Sequence, residues 1–159
     1  MARSRAATLS LLARIPEEAI LRPRTLGDWS GKDVLAHIAA WEEEGTRRLL
    51  LIAEKRGDRI VWYDTMSEVD RFNARAVRGA RRMSLAGTLR RLARARAGLV
   101  RALGRLPPPA LADPAHDLPV VTWLREFAWT HEADHRREIL EWWRGQRARR
   151  RPAGAQEGR

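Results

Sequence analysis

Apolar residues recur every three or four positions along most of this chain, a spacing that predicts helices rather than strands. Leu9, Leu12 and Ala13 set the register of a first helix over residues 4–15, followed by a connection at 21–28 that contains Pro23 and Gly27. Ser30 stands where an N-cap belongs, and Ser30-Gly31-Lys32-Asp33 fits a capping box opening a second helix that continues to about residue 56 and ends at Gly57. Beyond a loop carrying Trp62 and Tyr63, residues 67–82 predict a shorter crossover helix. Ser84 opens a third long helix that stops before Pro107-Pro108-Pro109. Pro119 suits the first turn of a fourth, running to about Arg144. No segment alternates with period two between turn residues, so no sheet is expected. The expected fold is all-α, a four-helix bundle with a helical crossover between the second and third long helices. It should occupy residues 1–146, leaving a basic tail at 147–159 that is expected to be disordered.

A chain of 159 residues can bury one sizeable core, which agrees with a single bundle. The absence of cysteine excludes disulfides, thiolate metal sites and a cysteine nucleophile, and suits a reducing cytoplasm. The longest aliphatic run, residues 49–53, is far below the roughly 18 residues a membrane span requires. Residues 1–15 are basic and free of acids, but Arg14 interrupts their short apolar core, so an amphipathic helix is preferred to a targeting segment.

The net charge of +11 rests almost wholly on arginine, since Lys32 and Lys55 are the only lysines. Residues 71–112 hold eleven arginines and no acid, and six more arginines follow from Arg144 onward. Such a field would attract nucleic acid, anionic lipid or acidic ligands. A solvated helix face with a disordered basic tail accounts for it equally simply and is the preferred reading.

The fourth helix carries the chemistry. Leu124, Phe127, Ala128, His131, His135, Ile139 and Trp142 share one stripe at 100° per residue, so both histidines fall on the face a bundle helix buries. Spacing of i, i+4 brings the two imidazoles to one side, where they could grip one ion or, alternatively, bond to core carbonyls. His37 favours the ion. It sits at the edge of the stripe of Val34, Ile38, Trp41 and Ile52 on the second helix and can face inward. Three neutral histidines hold a divalent cation with one position left open, as catalytic sites do. His116, in the 113–119 loop, has no such placement.

Two other metal readings fail on the residues. His131-Glu132-Ala133-Asp134-His135 matches the metalloprotease pattern H-E-x-x-H, but only 24 residues follow it, with no further histidine and no sheet edge to hold a peptide. Glu132-Ala133-Asp134-His135 matches the E-x-x-H of di-iron bundles, but the third helix offers no acid.

Around the expected site, Glu138 lies on the line of His131 and His135, where it could orient the metal site or simply pair with an arginine. Glu132 and Glu138 are the candidates for moving protons. Asp33 is explained by the capping box. Arg96 falls in the middle of the leucine line Leu85, Leu89, Leu92, Leu99, Leu103 and Leu106. It should snorkel to the bundle's edge; if it points inward it becomes an anchor for a substrate or cofactor carboxylate. Trp41, one turn from His37, should wall the metal pocket; Trp62 and Tyr63 could form a lid over it, although plain packing of a long loop explains them as well. Trp129, Ala133 and Leu140 form a second, outward apolar stripe, which predicts a homodimer through this helix.

The segment Trp29-Ser30-Gly31-Lys32-Asp33-Val34-Leu35-Ala36-His37-Ile38-Ala39-Ala40-Trp41-Glu42 resembles the second-helix signature of the DinB-like superfamily. Thr130-His131-Glu132-Ala133-Asp134-His135-Arg136-Arg137-Glu138-Ile139 is similar to its last-helix H-x-x-x-H, and with the helix lengths the resemblance spans about residues 5–145. It implies a four-helix bundle, commonly dimeric, with a three-histidine site for zinc, nickel or a related ion. It also implies kinship with thiol-dependent enzymes, including mycothiol-dependent maleylpyruvate isomerases and bacillithiol S-transferases. Asp70-Arg71-Phe72-Asn73 is similar to the ClbS/DfsB branch as well, although the retained histidines fit the thiol-transferase side better. The expected function is therefore a metal-dependent transferase using a low-molecular-weight thiol, with a small-molecule thiol or electrophile as partner. The alternative is a metal-stabilised, non-enzymatic bundle that binds nucleic acid or another acidic partner through its arginines.

Overall fold

The computed structural model describes residues 2–112 and 120–150. Among them the regular elements are all helices: α1 (Ala2–Leu12), α2 (Glu17–Leu21), α3 (Gly31–Ala53), α4 (Met66–Ala80), α5 (Leu85–Leu103), α6 (Val120–Phe127) and α7 (Trp129–Arg150), beside short 3-10 turns. Helices α1, α3, α5 and the α6–α7 pair form the bundle, and α4 crosses over between α3 and α5. His116, Pro119 and residues 151–159 lie outside the described residues.

Local chemistry sets the helix starts. Ser30 Oγ accepts from Asp33 N (3.1 Å) and Asp33 Oδ2 accepts from Ser30 N (3.0 Å), the reciprocal capping box of α3. Thr65 and Glu68 repeat the device at the start of α4, so that helix begins at Met66. Ser84 Oγ accepts from Gly87 N at the start of α5 (3.1 Å). The end of α3 falls at Ala53, short of the expected stop near residue 56. Lys55 adopts a left-handed conformation (φ 57°), and the N–H groups of Lys55 and Arg56 turn back to Ile52 O (3.0 Å) and Leu51 O (2.8 Å). That is a Schellman closure reached without glycine.

The fourth helix differs from expectation in two ways. It is split at Ala128 into α6 and α7, with neither proline nor glycine at the break, and it continues past Arg144 to Arg150. The short α2, which puts Ala19 and Ile20 into the core, also goes beyond the predicted elements.

The core has two apolar lobes. One joins Leu12, Ile15, Leu35, Ile38, Leu92 and Ile139; the other joins Leu49, Leu99, Trp123 and Leu124. At Gly45 an added Cβ would lie 3.1 Å from Leu99 Cδ1, so α3 and α5 approach closely because that position carries no side chain.

Candidate metal centre

His37 enters from α3, and His131 and His135 enter from successive turns of α7. Their Nε2 atoms converge: His37 lies 2.8 Å and His135 3.0 Å from Nε2 of His131. All three donor nitrogens fall within 4.8 Å of one another. His37 is buried, whereas His131 and His135 are half-buried, so the cluster is reachable from one side.

Glu138 accepts from His135 Nδ1 at 2.8 Å. An ionised carboxylate can only accept, so Nδ1 carries a hydrogen, and in the neutral ring Nε2 of His135 is then a bare lone pair. Nε2 of His131 therefore faces two ring nitrogens while carrying at most one hydrogen. It can make at most one well-aligned hydrogen bond of the two. A cation shared by the three lone pairs satisfies all of them, and the nitrogen spacings are only a little below the roughly 3.4 Å that two donors keep around a tetrahedral zinc. The residues present fit a divalent ion.

Electrostatics favour the same state. Burial, followed by the neighbouring His131 and His135, pushes His37 down to about 3, with Asn73 pulling weakly the other way. Burial, then His135, does the same to His131. Both rings are neutral at physiological pH, the form that ligates metal.

Aromatic rings enclose the inner side. Trp29 stands 4.8 Å from His37, ring centre to ring centre, and Trp41 stands 6.4 Å from both His37 and His131. Trp41 is fixed by donating Nε1–H to Asn73 Oδ1 (3.0 Å) and by contact with Tyr63, Phe72 and Phe127. Trp41 thus stands beside two of the three histidines. Trp62 is placed elsewhere: its ring covers the buried Arg48 guanidinium at 4.5 Å and meets Trp123, and none of its ring contacts is with a histidine. A buried arginine needs such a face, and Arg48 is only 1% exposed.

Two further candidates turn away from the histidines. Arg96 does not snorkel. It lies inside the bundle, its Nη2 bonding Glu132 Oε2 (2.8 Å) and its Nε bonding Glu42 Oε1 (3.1 Å). Arg5 completes the group, with Nε on Glu132 Oε1 and Nη2 on Glu42 Oε1, both at 2.7 Å, and Nη1 on the Leu92 carbonyl. One residue from each of α1, α3, α5 and α7 thereby forms a buried quartet of two arginines and two glutamates. Glu42 and Glu132 are fully buried. Both oxygens of Glu132 are held by arginines, and Arg96 holds its carboxylates within the chain. Arg5 and Glu42 were missed in the sequence. The available signal was the same one that marked Arg96, a charge on an apolar line: Arg5 shares a stripe with Thr8, Leu12 and Ile15.

A family profile described as the DinB superfamily matches residues 1–139. The chain belongs to the DinB superfamily. Comparison with curated proteins and with solved structures returned no match. In this DinB-superfamily bundle the two motifs that carried the resemblance supply the three converging histidines. Among the described residues no helix is long and apolar enough to cross a membrane.

Proposed function

We propose that this DinB-superfamily protein is a metal-dependent thiol transferase or a related detoxification enzyme. The proposal rests on the three Nε2 atoms that meet on the half-open side of the bundle. His37, His131 and His135 would hold one divalent cation, zinc or nickel, and no fourth histidine or carboxylate joins the group among the described residues. A three-histidine ion with an open position supplies Lewis acidity, enough to hold a low-molecular-weight thiol as thiolate near neutral pH.

The chain's own residues prepare that chemistry. Glu138 fixes the tautomer and angle of His135 and is the carboxylate in reach of the centre, so it is the candidate proton carrier. Trp29 and Trp41 keep water from the inner side of the cluster. With no cysteine in the sequence, the sulfur must come from a cofactor, which a reducing cytoplasm would maintain.

The test uses the full chain loaded with cobalt(II). Titration with mycothiol, bacillithiol and glutathione should produce a sulfur-to-cobalt charge-transfer band with at least one of them. The same thiol should then be consumed faster in the presence of monobromobimane. Both signals should vanish in His131→Ala. A metal-loaded protein that shows neither band nor consumption with any of the three thiols overturns the transferase reading.

A further inference from the structure

Helices α1 and α7 run side by side in the same direction, with Arg136 Nη1 bonding the Ser4 carbonyl (3.3 Å) and Arg14 and Arg144 lining one hollow further along. Two hollows of about 640 Å³ each open on this face, and they share Ala7, Ala133 and Arg136. Together they make one shallow groove. Its floor is apolar and low: Ala7, Leu11, Ala133 and Leu140, with Trp129 at one end. From Trp129 to Arg144 it extends about 22 Å at 1.5 Å per residue, roughly four helical turns.

The banks are cationic. Arg3 and Arg14 stand on the α1 side, and Arg136, Arg137 and Arg144 on the α7 side. No acid is among the described lining residues, and Arg3, Arg14 and Arg144 pair with no carboxylate among the described residues. Of the five, Arg137 alone has an acidic partner among the described residues, Asp134.

We propose that this groove is a docking site for an acidic amphipathic helix of a protein partner. A helix seated between two helices needs small residues beneath it, and Ala7 and Ala133 provide them. Its apolar residues at i, i+3, i+4 and i+7 would cover Leu11 and Leu140, and its glutamates or aspartates would meet the arginine banks. The charge pattern argues against the other occupants. Two copies joined about a two-fold axis on this face would set one arginine-banked groove against another. A nucleic acid would satisfy the banks but lay a charged backbone over an apolar floor. A membrane surface is flat and would reach the rims rather than the floor.

The full chain is titrated, by fluorescence anisotropy, into a labelled model helix carrying leucines at i, i+3, i+4 and i+7 and glutamates on both flanks. A scrambled peptide of the same composition, a labelled DNA duplex and phosphatidylserine vesicles serve as comparisons. The patterned peptide should bind and the scrambled one bind at least about tenfold more weakly. The exposed-site variant Arg14→Glu/Arg144→Glu should weaken the patterned peptide about tenfold or more, as should Leu140→Asp. Circular dichroism confirms that both variants keep their helical content. Equal binding of the two peptides overturns the proposal, as does an affinity that the variants leave unchanged. Tighter, variant-sensitive binding of DNA or vesicles overturns it in favour of those partners. Self-association abolished by Leu140→Asp in sedimentation overturns it in favour of a second copy.

Discussion

His131 and Glu132 are neighbours in the chain that serve different faces of α7. His131 meets His37 at 2.8 Å in the metal centre, while Glu132 is fully buried and bonded to Arg5 and Arg96 at the bundle's waist. Consecutive helical residues point about 100° apart, so one turn of α7 is tied to α3 through an imidazole and to α1 and α5 through a carboxylate. The quartet that fixes α7 thereby also fixes where its histidines stand relative to His37.

Removing one member of that quartet should therefore cost far more than a surface ion pair. Arg96→Met leaves Glu42 and Glu132 with too little positive charge in a water-free interior, and we expect a loss of about 3–5 kcal/mol in urea unfolding. Replacing all four by apolar residues of similar size should be far milder, near neutral or stabilising by about 1–4 kcal/mol. If Arg96→Met unfolds like wild type, the quartet is not the buried network described.

Stability of the metal-free protein should fall in acid. His37 and His131 are held near 3 in the folded state and return to about 6.5 when unfolded, so below about pH 6.5 the unfolded chain binds more protons. Each ring then removes up to about 1.4 kcal/mol per pH unit as the pH falls from about 6.5 toward 3. The contribution is fully present above pH 6.5 and lost on the way down. Urea midpoints at pH 7 and pH 5 should separate clearly, and the gap should shrink in His37→Ala. Equal midpoints at the two pH values in the metal-free wild type would show that the rings are not buried neutral.

Glu138 is half exposed, yet it is the group that sets the tautomer of His135. Glu138→Ala should weaken metal binding about 10- to 100-fold, as loss of an orienting partner does, with little change in melting temperature. An unaltered affinity in a competition titration with a chromophoric chelator would reduce Glu138 to a surface carboxylate.

The capping box at α3 gives a smaller effect. Ser30→Ala should cost about 1 kcal/mol in thermal unfolding and leave the metal stoichiometry unchanged, since the cap starts the helix two turns before His37.

Helix periodicity and caps made most of the bundle legible from the residues alone. The i, i+4 pair on an apolar face placed His131 and His135 together, and His37 followed from its stripe. The break at Ala128 was not legible, because backbone punctuation is read from proline and glycine and neither is there. Nor was the end of α3, where Lys55 adopts a conformation that composition assigns to Gly57. Arg96 was visible as an anomaly but its direction was not. Choosing between snorkelling and burial requires knowing that Arg5, Glu42 and Glu132 arrive from three other helices, and one strand of periodicity holds no such information. The choice between lid and loop packing for Trp62 was hidden for a related reason: its partner Arg48 is buried only through tertiary contacts.

Metal content tests the centre most directly. The purified protein, loaded with zinc and dialysed, should retain one equivalent per chain by inductively coupled plasma mass spectrometry, and His37→Ala, His131→Ala and His135→Ala should each retain far less. A wild type that retains no metal, or single variants that hold as much as wild type, would contradict the three-histidine site.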